Sequence, residues 1–164
     1  MKRKLFLPVY AIFIFGCSQQ TGSSRELALS NKIDSLQKTI DNAYKPGLGE
    51  FMNGVQLHHE KLWLAGKNGN WKLADFEVNE MKEVLADIRT YCRDRPEIRF
   101  LNMIDPALDS LNQSIQDKNN LSFKNNFTNL THTCNSCHQA TKHGFNLVRI
   151  PQTSDFSDQD FKPQ

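Results

Sequence analysis

The stretch LSFKNNFTNLTHTCNSCHQATKHG, residues 121–144, decides how the rest of the chain is read. Phe123, Phe127, Leu130, Cys134, Cys137 and Thr141 recur at intervals of four and three, so they share one face of a helix. That face begins aromatic and ends in cysteine, with His138 beside it. The helix is expected from about Leu121 to His143, with Gly144 as its stop.

Within it, Cys134-Asn135-Ser136-Cys137-His138 is C-x-x-C-H, the attachment signature of c-type haem. Residues three and four apart lie on one side of a helix. Two thiols can therefore reach two vinyl groups on one porphyrin edge, while the imidazole rises to the iron. Two other chemistries stand beside this one. A thioredoxin-like redox pair would want a βαβ context, which the pattern lacks. A zinc site could recruit His132, His138 or His143, but the usual tetrahedral set needs a second ligand pair.

Upstream, three more helices are legible. The first is expected from about Leu48 to Ala65, with Met52, Val55, His59, Leu62 and Trp63 on one arc. Leu57 and Leu64 fall on the opposite face, expected as a dock for the N-terminal helix. Gly66–Gly69 is a turn, and Asn70 suits the cap of the next helix. This second helix, Trp71 to Cys92, carries Ala74, Val78, Met81, Leu85, Ile88 and Cys92 in a 4-3-4-3-4 stripe, which makes Cys92 a buried structural thiol. Residues 93–104 form a long link. Asp105-Pro106 then gives an N-cap and a proline at the first helical position. Leu108, Leu111 and Ile115 mark the third helix, and Asn119 and Asn120 break it. No strand signal is present. The expected fold is all-α: an antiparallel up-down-up-down four-helix bundle over residues 46–150, with an N-terminal helical extension.

That extension is expected over residues 25–45, from a Ser23/Glu26 capping box through Leu29, Ile33, Leu36, Ile40 and Ala43 to Pro46-Gly47. Residues 151–164 are polar and expected to be disordered. Residues 1–16 have an export pattern: Lys2, Arg3 and Lys4, then an apolar run too short to span a membrane. Ile14-Phe15-Gly16-Cys17 resembles the lipobox of bacterial lipoproteins, although Phe15 is bulkier than usual there. The resemblance implies a lipid on Cys17, a flexible tether over 17–24, and anchoring to the periplasmic side of a bacterial membrane. Ser18 in place of aspartate resembles the outer-membrane sorting pattern. Loss of residues 1–16 leaves 17 basic against 18 acidic residues, a net charge near −1. There is no basic stripe, which argues against nucleic acid as a partner.

A C-x-x-C-H in the last helix of such a bundle resembles the cytochrome c′ family and its six-coordinate low-spin relatives. Lys142, four after His138, matches that family's frequent basic residue, and Thr141 departs from its frequent aromatic. The resemblance covers residues 48–145 and implies one covalent haem c, held by Cys134, Cys137 and His138. In the low-spin relatives a methionine early in the first bundle helix is the sixth ligand, and Met52 stands there. With antiparallel helices, Met52 and His138 would both lie about 6–8 Å from the same end. His59, two turns deeper, is the rival ligand or a pocket wall. His58 is read as a surface or interface residue.

The implied function is electron transfer with exported redox proteins, and not an enzyme's. The alternative is a five-coordinate binder of nitric oxide or carbon monoxide. Peroxidase-like chemistry would need His59 as acid/base, and a zinc-binding or non-haem interaction lipoprotein is the remaining class. The family resemblance also implies pairing of two copies through the first two bundle helices.

Overall fold

A computed structural model describes residues 20–164. Among these the chain is all-helical and contains no strand. Contacts divide it into a unit ending at Tyr44 and a unit spanning Lys45–Gln164. No described helix is long and apolar enough to cross a membrane.

The first unit contains α1, Gln20–Asp41. It begins upstream of the Ser23/Glu26 capping pattern, so the segment expected to be a flexible tether is helical from residue 20. Leu29, Ile33, Leu36 and Ile40 form its apolar stripe and are exposed.

The second unit contains α2 (Leu48–Lys67), α3 (Trp71–Tyr91), α4 (Asp105–Gln116) and α5 (Asn120–Ala140). Helix α2 packs on α3 and α5, and α4 packs on the same two. The core is built from the stripes read in the sequence: Leu62, Val78, Met81, Leu85, Ile88, Leu108, Leu111, Phe123 and Phe127 are all buried. Cys92 is buried too, as its place in the stripe requires. Asn70 caps α3, its side chain accepting from the Leu73 amide at 3.2 Å.

Five features depart from the expectation. Leu64 is buried, not on an outer face, because α2 is contacted on two sides and its buried arc exceeds one stripe. The link after α3 is ordered into a 3₁₀ helix, Pro96–Met103, that lies against α3, α4 and α5. Asp105 is helical and not the cap, and its carboxylate is 2.6 Å from Arg89 Nη2. Helix α5 stops at Ala140, three residues early; the left-handed turn falls on Lys142 (φ 64°) and not on Gly144.

The fifth departure is the tail. Residues 151–164 have no regular secondary structure, yet they are packed. Phe161 is only 6% exposed and its ring lies 5.9 Å from that of Phe156. Lys61 Nζ sits 5.1 Å over the Phe156 ring. Asn70 Nδ2 donates to the Lys162 carbonyl at 3.1 Å, so one asparagine both caps α3 and holds the tail. Two aromatic rings offset the ordering cost that the polar residues around them cannot.

At the α2–α3 turn, Phe123 of α5 lies under Gly66, with Trp63 and Trp71 against its ring at 6.2 and 6.0 Å. Further along, His59 meets Thr131 at 2.9 Å. Further still, Met52 and the end of α5 line one cleft.

Candidate functional site

That cleft has a volume of about 300 Å³. Val55, Leu85, Ile98, Phe100, Leu101 and Val148 supply apolar walls. Met52, His59, Cys134, Cys137 and His138 all line it, so the residues singled out in the described sequence converge on one space. An apolar cleft with a few converging polar groups has the usual form of a small-molecule or cofactor site. Cys17 lies outside the described residues.

Cys134 and Cys137 are partly buried free thiols. Burial, and then the neighbouring Cys137, push the Cys134 thiol up to about 12, and burial raises Cys137 as well. Both therefore remain S–H at neutral pH. A redox or nucleophilic cysteine needs the opposite shift, toward thiolate. Zinc fits no better: among the described residues, no three of His, Cys, Asp and Glu converge as a metal set.

The imidazole of His138 is held by the main chain. Its Nδ1 lies 2.6 Å from the carbonyl oxygen of Asn146. A carbonyl can only accept, so Nδ1 is the donor, and in the neutral ring Nε2 is then the nitrogen with the lone pair. This is the tautomer in which a histidine ligates a metal through Nε2, with the second nitrogen anchored.

Asn135, inside the motif, explains how the carbonyl reaches that place. Its Nδ2 donates to the Val148 carbonyl at 2.9 Å, and its Oδ1 accepts from the Val148 amide at 2.8 Å. This two-bond clamp holds segment 146–148 against α5. The turn at Lys142 supplies the reversal. The sequence carried a signal for the clamp only in the residue type: asparagine's side chain mimics a peptide group.

Met52 is partly buried and packs on the core. His59 is only 3% exposed, its ring 4.5 Å from Phe127. Thr131 Oγ1 donates to the Phe127 carbonyl at 3.0 Å, so its oxygen accepts from His59 Nε2–H. His59 is thereby tied into the wall, and burial lowers its pKa to about 4. Of the two rivals, Met52 is the one without such a tether.

His58 is not a surface residue. It is partly buried, and its Nδ1 is 2.8 Å from Oε2 of Glu77, which is only 1% exposed. The sequence reading missed Glu77 because charge within a helical stripe ordinarily signals solvent.

The cleft also has a wall that sequence reasoning did not assign. Arg95 and Glu97 flank the start of the 3₁₀ helix and line the space. Arg95 Nη2 is 3.0 Å from Glu97 Oε1. The Glu97 carboxyl is held below its ordinary range, first by its own main-chain N–H, against burial, and then by Arg95 and His143.

Comparison of the chain with protein-family models, with curated proteins and with solved structures gives no match.

Proposed function

We propose that this protein is a monohaem c-type cytochrome, resembling the cytochrome c′ family's low-spin relatives, that carries single electrons between exported redox proteins. The observation that carries this reading is the His138–Asn146 bond: it makes Nε2 the ligating nitrogen of the neutral ring, on a residue that lines the same cleft as both motif thiols. In this reading Cys134 and Cys137 would attach one haem c, and His138 and Met52 would hold its iron. The donor set fits the group, with two S–H thiols, one Nδ1-protonated imidazole, a thioether and apolar walls in a single cleft.

When bound, haem supplies an iron that takes up and releases one electron. The chain's own residues do the rest. Asn135 and the Asn146 carbonyl orient the imidazole, and the apolar walls exclude water. Met52 would offer sulfur, a ligand that favours the reduced state and raises the potential. The reading includes an antiparallel up-down-up-down bundle for the four helices of the second unit. The pairing of Gly66 with Phe123 and of His59 with Thr131 supports opposite directions for α2 and α5. It also includes a lipid on Cys17 and a place on the periplasmic face of a bacterial membrane, the outer membrane being favoured by Ser18.

The test is mass spectrometry of protein matured alongside haem-attachment machinery. The expected result is one added haem on the peptide containing Cys134 and Cys137, lost in the Cys134→Ala/Cys137→Ala variant. A mature chain with no added mass, or one holding zinc instead, overturns the reading.

A further inference from the structure

A cofactor that enters this cleft must bring its charge to terms with the lining. Among the described residues that line it, Arg95 is the one Lys or Arg and Glu97 the one carboxylate; His59 of α2, His138 of α5 and His143 beyond it also face the space, and His143 acts on Glu97. Arg95 and Glu97 are bound to each other at 3.0 Å through Glu97 Oε1. The pairing is incomplete on both sides. The Arg95 side chain is half exposed and presents further N–H donors from a planar fork. Glu97 Oε2 is buried and accepts no hydrogen bond. A buried carboxylate oxygen without a donor is costly, and sites with such atoms commonly await a group that supplies one.

Haem carries two propionate groups. As carboxylates they seek a guanidinium, and as carboxylic acids they can donate an O–H. The cleft offers one group for each form. We propose that Arg95 and Glu97 together hold a haem propionate, Arg95 as its cation and Glu97 as the group that orients Arg95 and sets the propionate's acidity. The proposal rests on the haem reading above and assigns to the 3₁₀ helix a positioning role in that site. The consequence is a redox potential that depends on pH, because a proton lost from the propionate leaves a negative charge near the iron and disfavours the extra electron.

The two residues pull in opposite directions, and this separates the proposal from general disturbance of the fold. An adjacent cation favours the charged carboxylate, and an adjacent anion disfavours it. Arg95→Gln should make the propionate an acid weaker by about tenfold or more. Glu97→Gln keeps a neutral acceptor for Arg95 but removes the anion, so it should make the propionate a stronger acid. Arg95→Lys should stay near the parent value.

The experiment is a potentiometric titration of the haem-loaded full chain from acid to alkaline pH. It is run for the parent, the three variants, His143→Gln and His59→Gln, with circular dichroism to register the helices. Inflections that move in opposite senses in Arg95→Gln and Glu97→Gln, and that persist in His143→Gln and His59→Gln, support the proposal; an inflection lost with either histidine overturns it. An inflection unmoved in both, or moved the same way in both, overturns it while the haem reading stands. A chain that carries no covalent haem overturns both.

Discussion

His59 Nε2 donates to Thr131 Oγ1 across 2.9 Å, and the same hydroxyl donates to the Phe127 carbonyl. One imidazole nitrogen is thus consumed in joining α2 to α5. The spectrum of the haem-loaded protein should reflect this. Met52→Ala should convert a low-spin spectrum, with its methionine-sulfur band, into a high-spin one that shifts on addition of carbon monoxide. His59→Asn should leave the low-spin spectrum in place. If Met52→Ala changes nothing, another group holds the sixth position.

The same histidine makes stability depend on pH. Its pKa is about 4 in the folded chain against 6.5 for an ordinary histidine. Between those values the unfolded chain binds the extra proton and the folded chain does not, so acid favours unfolding. Stability from this group should be intact above pH 6.5 and fall as pH drops toward 4, by up to about 3 kcal/mol. Urea midpoints of parent and His59→Phe across that window measure it. The slope should flatten in the variant.

Asn135→Ala removes both bonds to Val148 at once. The expected cost is roughly 1–3 kcal/mol, from two hydrogen bonds at about 0.5–1.5 kcal/mol each. The more telling readout is nitrogen NMR of His138 in haem-free protein. The parent should show one tautomer, with Nδ1 protonated, and the variant a mixture.

Gly66→Ala should be severe. A Cβ built there would overlap Phe123 Cζ, within a packed ring cluster. Alanine ordinarily strengthens a helix, so propensity predicts the opposite sign. Overpacking should win, with a loss of about 3 kcal/mol or more in thermal or urea unfolding. A compensating Phe123→Leu should recover part of it.

Phe161→Ala should release the tail without unfolding the helices. Truncating a buried phenylalanine costs about 3–5 kcal/mol in a core that cannot yield. A terminal segment can detach instead, which caps the loss. Limited proteolysis should cut the variant after about residue 151 much faster than the parent, while the helical signal is unchanged.

The helices were legible because each carries its core at helical spacing, as in Val78, Met81, Leu85 and Ile88. The cysteine–histidine cluster of the cleft was legible because C-x-x-C-H is local. What periodicity cannot report is which distant segment comes to rest on a given face. It reads a stripe, and so placed Leu64 outside. It takes a polar link for a loop, and so missed the 3₁₀ wall with Arg95 and Glu97. Composition assigned disorder to residues 151–164, but two rings decided the matter. Glycine preference placed the end of α5 at Gly144, whereas the left-handed residue is Lys142, and the Asn135 clamp holds the chain that follows it.

Asn70 holds the Lys162 carbonyl at the far end of α2 from the cleft-lining Met52. Some 15 residues of helix, Met52 to Lys67, and a short turn separate the two positions, about 22 Å along the axis of α2. Anything joined after residue 164 therefore departs from the face remote from the two thiols. Tethered to an electrode through a linker at that position, the protein would present its cleft to the solution, and a wired surface would sample the opposite side from one coupled through α2's first turn.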